Sequence, residues 1–210
     1  YYSCFFGYMA KTKGVTAAMD PLTGRVLWQT TKYYASQGCA MSAADGRLYL
    51  GGYNRPNEKT NDRYVWCLDA KDGSLIWQSE PVAQAVNVVT VGRSFLFTHG
   101  STGKPSYLID KDTGKILSIF DKGYACTRFT LSEPYLIGAN MDMIDTAALV
   151  NSKFEIRNSK FPPEAGVVSS GPCVDVRECV GAVVSNGRIF YTSQGSGLQV
   201  CQLYGEEAKN

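Results

Sequence analysis

The chain has 210 residues, 44% hydrophobic and 19% charged, the balance of a soluble globular protein with enough length for one sizeable core. Its 21 basic and 19 acidic residues leave a net charge of +2 with no basic run, so no electrostatic pull toward nucleic acid or an anionic membrane is expected. No apolar stretch reaches the roughly 18 residues of a membrane-spanning helix, and one histidine excludes a multi-histidine metal site.

Taken in chain order, Tyr1-Tyr2-Ser3-Cys4-Phe5-Phe6 is aromatic-rich and lacks the basic and long apolar regions of a signal peptide, so it reads as the middle of a strand. The segment from Ala18 to Trp28 then gives a strand, an Asp20-Pro21-Leu22-Thr23-Gly24 turn and a second strand. The same pattern returns from Cys67 to Trp77 around Asp69 and Gly73, and from Leu108 to Ser118 around Asp110 and Gly114. Glycine supplies the positive φ that such a bulged hairpin needs, and aspartate can accept turn amides. A second motif precedes the first within each unit. Gly46-Arg47-Leu48-Tyr49-Leu50 recurs at Gly92 and at Gly187, with a degenerate copy at Ser132-Glu133-Pro134-Tyr135-Leu136. It reads as a hairpin turn followed by a second strand.

Four short strands per unit of roughly 40 residues describe the blade of a β-propeller. The expected architecture is therefore all-β, a single propeller region over 1–210 with four to five four-stranded antiparallel blades. The blades fall at about 1–30, 39–79, 86–120, 124–158 and 179–204. The first lacks its innermost strand and the last its outermost. The fourth loses the motif after Asn140-Met141-Asp142-Met143-Ile144-Asp145, and 159–178, with Pro162-Pro163 and Gly171-Pro172, reads as a long loop between blades. The missing strands do not complement one another simply, which favours an arc of a larger propeller, with an irregularly closed small ring as the alternative.

The Asp-x-x-Thr-Gly-x-x-x-Trp segments resemble the PQQ-like, or quinoprotein alcohol dehydrogenase-like, β-propeller repeat. Asp20 to Trp28 and Asp69 to Trp77 match closely, and the third copy has Ser118 in place of the tryptophan. The resemblance implies that Trp28 and Trp77 pack between adjacent blades. It implies two functional classes as well. Some members are alcohol or sugar dehydrogenases holding pyrroloquinoline quinone (PQQ) and calcium. Others are non-catalytic, among them assembly lipoproteins of the bacterial outer membrane. The dehydrogenases carry adjacent cysteines over the quinone, and none of the seven cysteines here is adjacent to another. The favoured expectation is a non-catalytic binding or scaffold propeller, periplasmic or secreted, with no cofactor. Its partner is expected to be a protein or a small polar ligand. The alternative is part of a PQQ- and calcium-dependent dehydrogenase.

Propeller ligands sit on the face built by loops entering the innermost strand and loops joining the second and third strands. The candidates there are Tyr33, Tyr34, Arg55, His99, Arg128, Asp142, Arg177 and Glu178. As a lone histidine beside a turn, His99 reads first as a surface or hydrogen-bonding residue. Tyr33 and Tyr34 break the repeat in a loop, which makes them ligand-contact candidates. Asn140, Asp142 and Asp145 can offer oxygens to calcium, against the simpler reading of a solvated loop. Cys39, Cys126 and Cys179 fall near the starts of innermost strands, either as a thiol-lined mouth or as small packing residues. Packing is the favoured expectation. Cys67 holds the place of Ala18 and Leu108 and is expected in the core. Cys173 and Cys179 are spaced for a loop disulfide if the protein is exported.

Overall fold

The computed structural model describes residues 1–5, 14–35, 40–51, 64–82, 89–99, 105–120, 129–138, 143–146, 167–169, 183–193 and 197–202. Their strands form five antiparallel sheets, each ordered as in the sequence. The first holds β1 (Tyr2–Phe5), β2 (Gly14–Met19) and β3 (Val26–Thr30). The second holds β4 (Met41–Ala44), β5 (Arg47–Gly51), β6 (Val65–Asp69) and β7 (Leu75–Gln78). The third holds β8 (Val89–Val91), β9 (Phe95–His99), β10 (Ser106–Asp110) and β11 (Ile116–Phe120). The fourth comprises β12 (Thr130–Ser132), β13 (Tyr135–Ile137), β14 (Met143–Asp145) and β15 (Val167–Ser169). The fifth has β16 (Val183–Ser185), β17 (Arg188–Ser193) and β18 (Gly197–Gln202). The chain forms two compact units, one carrying the first three sheets and the other the last two.

Both sequence motifs fold as hairpins. At the Gly-Arg motif, Asp45 and Gly46 have φ of 51° and 70°, and Asn186 and Gly187 have 48° and 70°. Two successive positive φ values define the two-residue turn whose twist suits flanking strands. At the other motif, Asp20 Oδ1 accepts the amides of Leu22 and Thr23, and the Gly24 amide donates to the Asp20 carbonyl. The register slips by one residue at the same place in all three copies, between Ala18 and Met19, Cys67 and Leu68, and Leu108 and Ile109. Glycine in the left-handed region is what permits that bulge.

Among the described residues of the first unit, two clusters of packed core side chains stand out. One joins Tyr49, Val65, Cys67 and Trp77 of the second sheet to Val89, Leu96, Tyr107, Ile109 and Ile116 of the third, so it lies between two blades. The other gathers Ala35, Ala40, Leu48, Leu50 and Leu68, with Trp28, Tyr33 and Trp66 packed against them. Within each unit one pair of first strands from successive sheets lies side by side. β4 neighbours β8, where the Ser42 hydroxyl donates to the Val89 carbonyl. In the second unit, β12 neighbours β16 in the same way.

The fourth sheet corrects one expectation. Residues 159–178 are not all connecting loop, because β15 pairs with β14 through Met143–Ser169 and Ile144–Val167. That blade takes its outermost strand from beyond residue 158. A three-residue strand of valine and serine carries too short an alternation to stand out beside two proline-rich stretches.

Candidate functional site

The best-defined constellation is a clasp between sheets, built by the repeat motifs themselves. The Trp28 indole nitrogen, at the end of the first sheet, donates to the Ala70 carbonyl in the second sheet's turn at 3.0 Å. Trp77 repeats the contact one sheet later, donating to the Lys111 carbonyl at 3.1 Å. Each ring also lies over the motif glycine of the next sheet. A Cβ added to Gly73 would stand 2.6 Å from the Trp28 ring, and one added to Gly114 would stand 2.5 Å from the Trp77 ring. The motif glycine therefore does two jobs, forming the turn and leaving room for the indole. Trp77 is 8% exposed, so its apolar surface and its donor are both used.

The Gly-Arg hairpin adds charge to this clasp. Arg47 Nη1 pairs with Asp112 Oδ1 at 2.7 Å, and Lys111 Nζ pairs with Asp45 Oδ2 at 2.8 Å. The Lys111 ammonium holds the Asp45 carboxyl below the usual carboxylate range, by hydrogen bond and by charge. The carboxylate of Asp112 raises the Arg47 guanidinium in turn. Both acids are largely exposed, so solvent screens each pair and neither contributes much to stability. Their value lies more in register, since each crosses from one blade to the next. Sequence reading treated Gly-Arg only as a turn and missed this arginine. The signal available was the recurrence of arginine after glycine in three copies, at Arg47, Arg93 and Arg188.

Cys67 is fully buried with a free thiol, as expected of a core residue. Burial pushes its pKa up to about 11, so the thiol is kept neutral and unreactive. Tyr49 pairs with it across β5 and β6 and has its phenol raised by burial and by that thiol.

Of the loop-face candidates, three lie among the described residues. Tyr33 packs its ring on Trp66, centroids 5.7 Å apart, against the second core. Its half-buried ring is thus a packing element. Tyr34 is also half-buried. His99 ends β9 and is 1% exposed, its ring 6.2 Å from Phe97, so of the two expected roles, surface or hydrogen-bonding residue, the surface one is corrected. A strand that is buried along its whole length carries its terminal histidine inward. Arg55, Arg128, Asp142, Arg177 and Glu178 lie outside the described residues, as do Asn140, Cys39, Cys126, Cys173 and Cys179. Asp145 pairs with Tyr135 at the Pro134 hairpin, the opposite end of its sheet from the loop that follows β13.

The fit to quinone and calcium can be judged from donor chemistry. The carboxylates of Asp20, Asp69 and Asp110 each accept amides of their own turns. Among the described residues, no three side chains from His, Cys, Asp and Glu come together to hold a metal.

The sheets and motifs have known counterparts. A family model of PQQ repeats (PQQ_2), described as outer membrane protein assembly factor BamB, matches residues 12–128. The chain belongs to this family. The BamB of Yersinia pestis is 30% identical over 115 residues, which cover 50% of this chain and 27% of that protein. The chain thus spans only about a quarter of that curated relative's length. The crystal structure of BamB from Moraxella catarrhalis superposes with a TM-score of 0.53 at 12% identity, covering 92% of this chain and 56% of that one. The computationally designed Ika4 protein superposes with a TM-score of 0.56 at 10% identity, covering 87% of this chain and all of that one. At such identities the structural likenesses show the fold, a β-propeller, and the BamB-type family match rests on sequence. Among the described residues, no helix is long and apolar enough to cross a membrane.

Proposed function

We propose that this chain is part of a non-catalytic scaffold propeller, exported to the periplasm or beyond, which binds protein partners in an outer-membrane assembly role. One observation carries the reading: the residues that define the repeat serve to hold blades together. Trp28, Trp77, Asp45, Arg47 and Lys111 are all engaged in contacts between sheets, and the motif aspartates close their own turns. A surface stiffened in this way suits protein recognition, because little conformational freedom is lost when a partner docks on a pre-organised framework. The family match and the assembly role named for its relatives agree with the reading.

The test is to delete the gene for the full-length parent in its own organism and quantify folded outer-membrane proteins. A fall in assembled β-barrel proteins, restored by the intact gene, is the expected result. Unchanged barrel proteins beside a lost capacity to oxidise alcohols or sugars would overturn the reading in favour of a dehydrogenase.

A further inference from the structure

The clasp occurs twice and then stops. Trp28 stands opposite Ala18 in its sheet and Trp77 opposite Cys67, and the same place in the third sheet, opposite Leu108, is held by Ser118. The receiving half stops at the same step. In the second and third sheets, residues 70–74 and 111–115 form the motif turn whose glycine lies under an indole. In the fourth sheet the corresponding connection, from β14 to β15, is residues 146–166. A shared hydrogen bond fixes the alignment. The Thr146 amide donates to the Pro134 carbonyl, as the Ala70 amide does to Gly46 and the Lys111 amide to Ser94. Counted from there, Leu149 holds the place of Gly73 and Gly114. Leucine supplies neither the easy positive φ nor the bare backbone that the clasp uses.

Both substitutions fall where the chain divides into its two compact units. The described parts of those units also differ in build. Both core clusters named above belong to the first unit. In the second unit, strands β12 to β16 are three residues each, and Val183 and Val200 of the fifth sheet are 62% and 51% exposed. The stability of a repeat array is the sum of each repeat's own stability and of terms between neighbours. Cooperativity therefore fails where a neighbour term is lost beside weak repeats. We infer that the fold carries a built-in breakpoint after the third sheet. The last two sheets open and close as one cooperative unit while the first three keep their clasps. The inference stands on the interrupted clasp and is independent of the scaffold reading.

The chain carries its own probe. Its tryptophans, Trp28, Trp66 and Trp77, all lie in the first unit, so indole emission reports that unit alone. Far-UV circular dichroism reports the strands of both. The test is urea unfolding of the 210-residue chain followed by the two signals, since probes coincide when a protein unfolds in one cooperative transition. The expected result is an early loss of dichroism at unchanged emission, with a midpoint at least about 0.5 M urea below that of the emission. Two variants assign the phases. Leu136→Ala, at a fully buried site in the second unit, should lower the early midpoint and leave the emission midpoint in place. The emission midpoint must hold even if this variant leaves the second unit unfolded without urea. Trp77→Phe should do the reverse, lowering the midpoint read from Trp28 and Trp66 while the early phase stays. Coincident curves for the unsubstituted chain would overturn the inference. So would either variant moving both midpoints together.

Discussion

Gly24 and Gly114 occupy the same turn with φ of 71° and 74°, yet only Gly114 lies under an indole. This pair separates the two demands on the motif glycine. Alanine at either position must adopt the left-handed region at a cost of roughly 1–2 kcal/mol. At Gly114 the new methyl also meets the Trp77 ring at 2.5 Å, so ring or turn must shift. Gly24→Ala is expected to lower stability by only the first amount, and Gly114→Ala by about 1–3 kcal/mol more, the cost of overpacking a filled site. Urea unfolding of the two variants measures the difference. Equal losses would mean that the indole does not press on the turn. The sequence marks both glycines identically, because nothing within a turn reveals whether a ring from forty residues away sits on it.

Between elements, the clasp combines an indole donor with two charge pairs, and its charged part responds to pH. The Asp45 carboxyl has its pKa lowered in the folded protein by Lys111. Its contribution is therefore complete above the ordinary aspartate value of about 3.9 and is lost as pH falls through the lower folded value. Asp45→Asn should remove this part of the acid sensitivity, so the gap in melting temperature between wild type and variant narrows as pH is lowered from neutrality to below 4. A gap that stays constant over that range would show that the pair contributes nothing to folding. Hairpins were legible in the sequence because Asp, Gly and Arg fall at fixed offsets and turn chemistry is local. The cross-sheet pairing of Arg47 with Asp112 was not, since it joins residues that share no local pattern. β15 escaped for a related reason: three residues of alternation carry little signal, and its partner strand lies more than twenty residues upstream.

For the whole molecule, the repeat period was enough to reach a propeller, because two turn motifs recur at that period along the chain and sheets of that kind have few other ways to pack. The candidate site was far less legible. Ligand-face candidates follow from the loops of one propeller face, and loop position says nothing of burial. Tyr33 and His99 turned out to be packed inward, and Arg47 and Lys111, which sit in repeats, carry contacts between blades. The proposed function is that of a scaffold propeller without quinone chemistry, with a repeat signature that serves the contacts between blades. The most direct measurement is a titration of the full-length parent with PQQ and calcium, followed by quinone absorbance and by reduction of an artificial dye with simple alcohols and sugars. The expected result is no saturable quinone binding and no turnover. Stoichiometric binding with substrate-dependent dye reduction would contradict the account and make the protein a dehydrogenase.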